Sequence, residues 1–242
     1  MKKFLLLCFS LIILCCWWLR AQAAAPAMHV YLAEEFIQNY KVSASDHSAF
    51  IVGTLYPDIR YAADIPRAQT HEHNVSLQDI CLVSNDYFNA GKKFHSYVDE
   101  KRERFAYRSH IYDVIKPVPI EYRATYLKLL EDEIIWDHVD RMDVILNLFH
   151  FSPDEKMATI NEWDIFKWHV WLMLYFQHRP SEHLMSLAQD HKGWQNIPAE
   201  VIANWAVQLP AQVKDERIKK YVNQLTTYFQ TQFELACGKP AL

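Results

Sequence analysis

His29, Asp58, His71, His95 and Asp99 follow one another through the first half of the chain, and all five carry atoms that bind hard or borderline cations. Their spacing has a physical purpose. The run Gly53-Thr-Leu-Tyr-Pro57-Asp58 passes through a proline that stops a helix, so Asp58 falls in a bend from which a carboxylate reaches inward. Thr70-His71 ends thirteen residues beyond it. Gly91-Lys-Lys-Phe-His95-Ser-Tyr-Val-Asp99 reads as helix, where His95 and Asp99 stand one turn apart on one face and close on a single ion. This mixture of nitrogen and oxygen ligands points to a hydrolytic zinc site, because zinc with a position left for water lowers the pKa of that water to about 7. His71, His95 and Asp99 supply three ligands, and Asp58 is either a further ligand or the general base that orients the attacking water. His29, at the start of its own helix, serves a second ion through Asp99, since a shared carboxylate bridges two cations. His73 competes with His71 for its role, because a loop bearing Thr70-His-Glu-His presents either ring.

The elements that must position these residues are helices. Only four glycines occur in the chain, too few for the turns of a hairpin-rich sheet protein, and the loops are marked by proline instead. The fold class is therefore all-α, a single multi-helix domain over residues 28–238. From His29 to Lys41, Val30, Leu32, Ala33, Phe36 and Ile37 share one helical face while Glu34, Glu35 and Gln38 turn outward. A second helix spans 46–55 with Asp46 as its cap. Residues 59–83 are irregular apart from a short helix near 76–82. A long helix over 84–107 carries Gly91 one turn before His95, where the missing side chain admits a neighbouring helix or an ion. An apolar stripe of helical period then runs from Ile120 to Phe149 with Asp137, His138 and Arg141 in its middle. Ser152-Pro153-Asp154-Glu155 has the cap, proline and acidic first turn of a helix start, and that helix reaches Gln177. Helices over 181–190, 198–208 and 211–236 complete the chain.

Several other polar residues are open to two readings. Glu131 and Asp132 read as solvated positions on a helix rich in acids, while Glu133, Asp137 and His138 stand evenly between ligand and solvent. His110 is the imidazole nearest after Asp99. Lys101, Arg102, Arg104 and Arg108 read as a solvent-facing basic stretch, with neutralisation of a phosphate as the alternative. The run Val170-Trp-Leu-Met-Leu-Tyr-Phe176 is too short to span a bilayer and reads as a core helix, with a membrane-facing patch as the alternative.

Lys2 and Lys3, the apolar run from Phe4 to Leu19 and the small residues beyond it form a secretory signal peptide over 1–23, with further cut points up to residue 27. Leu14 before Cys15-Cys16 disfavours a lipoprotein signal. Loss of Lys2, Lys3 and Arg20 takes the balance from 25 basic against 29 acidic residues to 22 against 29, a charge of about −7. Such a chain is a poor partner for nucleic acid, which needs a basic footprint. Cys81 and Cys237 are the cysteines left after cleavage, either paired in a secreted protein or present as two buried thiols. The expected location is secreted or periplasmic, without a transmembrane segment in the mature chain.

In order and spacing, Met28-His29-Val-Tyr-Leu-Ala-Glu, Gly53-Thr-Leu-Tyr-Pro57-Asp58, Thr70-His71 and Gly91-x-x-x-His95-x-x-x-Asp99 together resemble the zinc-dependent phospholipase C family, whose fold is shared by the S1/P1 nucleases and the domain of GPI-specific phospholipase D. The resemblance covers roughly residues 28–140. It implies an all-helical fold with a cluster of one to three zinc ions at the foot of a cleft. His71, His95 and Asp99 would hold one ion with Asp58 beside it, and His29 with Asp99 another. It further implies hydrolysis of a phospholipid or other phosphodiester, with transient contact at a membrane surface. The alternatives are a nuclease on the same scaffold and a helical metal-binding protein without turnover. The chain departs from the family pattern in lacking an amino-terminal Trp at any cut point and a His-x-x-x-Glu pair soon after Asp99. His178 and Glu182 have that spacing, but Pro180 interrupts it.

Overall fold

Local signals account for most helix boundaries. The computed structural model describes residues 25–40, 43–82, 86–149, 155, 159–190 and 197–236. The proposed signal peptide, Cys15 and Cys16, Ser152-Pro153-Asp154 and Cys237 lie outside the described residues. The helices are α1 (Pro26–Tyr40), α2 (Ala44–Leu55), α3 (Arg60–Ala63), α4 (Leu77–Cys81), α5 (Tyr87–Arg108), α6 (Ile111–Val114), α7 (Arg123–Ile135), α8 (Arg141–Leu148), α9 (Glu162–Gln177), α10 (Pro180–Gln189), α11 (Ala199–Gln212) and α12 (Glu216–Ala236). No strand occurs among the described residues, so the fold is all-α. No described helix is long and apolar enough to cross a membrane. Cys81 is disulfide-bonded.

Several expected boundaries move for identifiable reasons. Ser43, not Asp46, precedes the first turn of α2, and Asp46 lies inside that turn. Helix α5 starts at Tyr87 because the Asp86 carboxylate accepts the Asn89 N–H at 3.0 Å. The stripe from Ile120 to Phe149 is broken. Trp136 buries its indole against Phe176 in a 3-10 turn over Trp136–His138, and Asp140 then caps α8 by accepting the Asp143 N–H. Asn161 caps α9, which therefore begins at Glu162 and ends at Gln177. Helix α11 continues through Pro210 to Gln212, with the proline in its last turn.

Packing beneath the future site is aromatic. Phe36 of α1, Phe50 of α2, Phe94 of α5 and Phe233 of α12 are all buried, with ring centroids 5.1–5.7 Å apart. Each such ring contributes roughly 1.5–3 kcal/mol by leaving water, so this cluster fixes four helices at one depth. Helix α12 presents Ile218, Tyr221, Val222, Leu225, Phe229 and Phe233 to the core, the 3.6-residue period read in the sequence. In α9 the apolar run divides: Leu172, Tyr175 and Phe176 are buried while Leu174 is exposed.

Helices α2 and α5 cross at two glycines. A Cβ on Gly91 would stand 2.2 Å from the Phe50 carbonyl oxygen, and one on Gly53 would stand 2.1 Å from that of Phe88. Backbone therefore lies directly on backbone, which only glycine permits. This crossing brings the C-terminal turn of α2 against the first turns of α5.

Candidate metal centre

On α5, Gly91, His95, Asp99 and Arg102 are all buried and recur at nearly whole turns, forming one polar stripe on an inward face. Close approach at Gly91 lets the His95 Nδ1–H donate to the Thr54 carbonyl oxygen at 2.8 Å, which fixes the ring and turns Nε2 toward Asp99. His71 arrives from the turn over Arg67–Gln69, whose Arg67 carbonyl accepts the N–H groups of Thr70 and His71. Thr70 Oγ1 donates to the same carbonyl at 3.3 Å, leaving its oxygen to accept from His71 Nδ1 at 2.9 Å. The Nδ1 atoms of both rings are engaged in this way, so His71 and His95 face each other Nε2 to Nε2 across 3.1 Å. That arrangement repels unless a proton or a metal ion is shared between them.

The distances match a metal better than a chance cluster. Asp99 Oδ2 lies 3.4 Å from His95 Nε2 and 3.5 Å from His71 Nε2, closing a triangle with the 3.1 Å edge. Ligands about 2.0–2.1 Å from zinc at tetrahedral angles stand roughly 3.3 Å apart. Asp58 Oδ1 is 3.8 Å from His71 Nε2. His29 Nε2 is 3.2 Å from Asp99 Oδ1, and its ring stacks on that of His95 at 3.9 Å and 11°. His29 is 1 % exposed and neither of its nitrogens makes a hydrogen bond. Asp58 Oδ1 is likewise buried without a hydrogen bond, its nearest cation being Arg60 Nε at 3.6 Å. The ligand atoms of His29, His95 and Asp99, and of Asp58, His71 and His95, each lie within 4.8 Å of one another. Two overlapping groups of buried His and Asp donors are thus in place to hold a metal ion.

Electrostatics sets these donors in the state a cation requires. Burial, with His95 next, lowers the His29 pKa to about 4, and burial lowers that of His71 to about 4. Both rings are neutral at pH 7. Burial raises the Asp99 carboxyl, but the imidazoles of His95, His29 and His71 outweigh it and hold the carboxyl well below the usual carboxylate range. Asp58 is lowered in the same manner by His95 and His71 against the effect of burial.

No protein-family model, curated protein or solved structure matches the chain.

All five expected ligands meet at this site, and the loop presents buried His71 while His73 faces solvent. The remaining candidates do not join it. His110 is exposed at a left-handed backbone position and faces Asp113. Glu133 accepts from the Ser181 N–H and hydroxyl at 2.9 Å, Asp137 pairs with Arg179 at the surface, and His138 is exposed against Tyr31. His178 and Glu182 are 3.7 Å apart on the surface at the start of α10.

Three readings of solvated charge are corrected. Glu131 and Asp132 are completely buried, and so is Arg102 from the basic stretch. Arg102 donates through Nε and Nη2 to Glu131, whose Oε1 also accepts from Tyr221 at 2.7 Å. Burial is compensated by a fully bonded ion pair that ties α5 to α7 and α12. Asp132 accepts the Ala27 and Met28 N–H groups at 2.9 and 2.8 Å and the Tyr175 hydroxyl at 2.6 Å. It thereby satisfies the first donors of α1 from another helix and places His29. Lys128, one turn before Asp132 on α7, is also buried, with its pKa lowered to about 8 by burial and then by Arg102.

Sequence reasoning also missed Thr54, Thr70 and Arg67. Arg67 Nη2 donates to Asp99 Oδ2. Beside it opens a cleft of about 260 Å³ lined by Arg67, His71, Asp99, Glu100, Glu103 and Tyr107 among others. A single guanidine four residues before His71 carries no pattern that would mark it, whereas Thr54 and Thr70 stand next to motif residues.

Proposed function

We propose that the protein is an exported zinc-dependent phosphodiester hydrolase that acts on phospholipids in the manner of a phospholipase C. The observation that carries this reading is the convergence of His29, Asp58, His71, His95 and Asp99 from separate segments, with tetrahedral edge lengths and unpaired buried donor atoms. Imidazole and carboxylate together suit zinc, and the resemblance in order and spacing to zinc-dependent phospholipases agrees with it. Zinc held there supplies Lewis acidity toward a phosphoryl oxygen and acidifies water at neutral pH.

The chain's own residues provide the rest. Asp58 sits at the bend with an ionised, partly exposed carboxylate, and it accepts the proton of the attacking water and orients that water toward phosphorus. His71, His95 and Asp99 would hold the zinc beside the cleft, and Thr54 and Thr70 keep the rings from rotating. An acidic chain favours a phospholipid over a polynucleotide.

The test is direct. Purified protein loaded with zinc is incubated with phosphatidylcholine vesicles or with single-stranded DNA, and phosphorus release is followed beside Asp58→Asn. Release from vesicles that Asp58→Asn abolishes while keeping its zinc supports the proposal. Cleavage of DNA alone replaces it with a nuclease, and tight zinc with no release from either leaves a metal-binding protein without turnover.

A further inference from the structure

We infer that Arg67 is the anion-binding residue of this site, a guanidinium that takes a non-bridging oxygen of a phosphate lying between the cleft and the His/Asp cluster. The inference deepens the hydrolase reading and rests on its claim that the cluster holds zinc. Three observations carry it. Arg67 Nη2 is spent on Asp99 Oδ2, the oxygen that also closes the triangle with His71 and His95. Arg67 Nη1 is buried and makes no hydrogen bond. The residue lines the cleft together with His71 and Asp99.

A guanidinium is planar, so a carboxylate that grips one nitrogen fixes the direction of the other. The Asp99 contact therefore aims an unsatisfied, charged donor beside the donor cluster. Leaving such a donor unpaired in a buried place is unfavourable by more than an ordinary hydrogen bond is worth, so the position calls for an acceptor. Of the other charges that line the cleft, Arg104 donates to Glu100 at 2.7 Å and Glu103 accepts from Arg102 and Tyr112, while Glu72 and His73 lie at its exposed edge. An acidic ligand oxygen is the acceptor that matches both the charge and the geometry, and a phosphate supplies one for the metal and one for the arginine. The anchoring is built into the chain, because the Arg67 carbonyl also supports the turn that presents His71. The same residue thus sets a metal ligand with its backbone and an oxyanion with its side chain.

Inorganic phosphate is the probe. Its binding to the zinc-loaded protein is measured by calorimetry for wild type, Arg67→Met and Arg67→Lys, with zinc content and thermal midpoint determined for each. Arg67→Met is expected to keep wild-type zinc and to weaken phosphate binding by roughly tenfold to a hundredfold, and Arg67→Lys, which keeps the charge without the planar fork, by less. If Arg67→Met misfolds, the Lys variant alone decides, with weakened phosphate at full zinc occupancy as the supporting result. Unchanged phosphate affinity in either folded variant overturns the inference. Loss of zinc in proportion to loss of phosphate also overturns it, since Arg67 would then only hold Asp99. Arg67-dependent phosphate binding in a wild type that cleaves no phosphodiester leaves this inference standing and removes the hydrolase reading.

Discussion

Replacing Gly91 by alanine tests the link between helix packing and the metal centre. The added Cβ would meet Phe50 O at 2.2 Å, Thr54 N at 2.7 Å and Gly53 C at 2.9 Å, where ordinary contact starts at 3.4 Å. All three are backbone atoms, so no side-chain rotation relieves the clash, and α2 must withdraw from α5 by about 1 Å. Alanine favours an isolated helix by about 1 kcal/mol over glycine. Overpacking of this kind opposes it by up to about 3 kcal/mol, and the rigidity of backbone on backbone puts this case at the upper end. The net expectation is a loss of roughly 2 kcal/mol, or a fall in Tm of about 4–8 °C for a chain of this size.

The same withdrawal stretches the 2.8 Å bond from His95 Nδ1 to the Thr54 carbonyl beyond hydrogen-bonding range. Freed from that acceptor, the imidazole loses its fixed tautomer and direction, for which about 10- to 100-fold in metal affinity is the usual loss. Denaturant titration gives the stability, and zinc competition against a chromophoric chelator gives the affinity, with His95→Ala as the reference for a missing ligand. A Gly91→Ala protein with the wild-type midpoint and wild-type zinc affinity would show that neither the crossing nor its coupling to His95 has the role given to it.

Other consequences follow from single contacts. His95→Ala should lose most bound zinc by elemental analysis, because it belongs to both donor groups; equal zinc in variant and wild type removes the ligand assignment. Arg102→Met strands Glu131 and should destabilise by about 3–5 kcal/mol in urea, whereas a variant within 1 kcal/mol of wild type would mean that the buried pair is solvated. Burial raises the Asp132 carboxyl to about 7, above its ordinary 3.8, so its contribution is fully present below pH 3.8 and is lost as pH rises through 7. Relative to Asp132→Asn, wild type should therefore lose roughly 3 kcal/mol between pH 5 and pH 8, and parallel pH–stability curves for the two proteins would contradict the buried, proton-retaining carboxyl.

The parts of this molecule that were legible in its sequence are those governed by local rules. Apolar period, caps and proline stops located α1, α5, α9 and α12 to within a few residues, apart from the start of α9 and that of α12, which begins at Glu216 and not at 211 because α11 continues to Gln212. Ordered spacing brought out all five donors, because a site built from a bend, a turn and one helical face repeats the same offsets as the backbone does. The reading failed where long-range partners decide. Glu131 and Asp132 sit in a run of acids that looks solvated, and nothing near them indicates that Arg102 and Tyr221, or the start of α1, will meet them. Trp136 ends α7 by packing against Phe176, a contact across 40 residues that a helical stripe does not record. Arg67 is invisible for the same reason, since its partner Asp99 lies 32 residues away.

Helix α5 contains its own comparison for what the donor cluster is. One turn beyond Asp99, the buried Arg102 places all three guanidinium nitrogens on carboxylates, and both oxygens of Glu131 are used. That is how this fold satisfies a buried charge that ties helices together. Around the donor cluster, both His29 nitrogens, Asp58 Oδ1 and Arg67 Nη1 are buried without a hydrogen bond, as are the Tyr126 hydroxyl and the indole nitrogens of Trp136, Trp168 and Trp205 elsewhere in the core. What sets the cluster apart is that its unpaired atoms converge, with Thr54, Thr70 and Arg67 holding the neighbouring side chains in definite directions. Neutral imidazoles and ionised carboxylates fixed in that way have already given up the protons that a metal would otherwise displace. The unfavourable energy of keeping them unpaired is supplied by the aromatic core and the Arg102–Glu131 pair around them, a distribution expected where a site is shaped for a ligand.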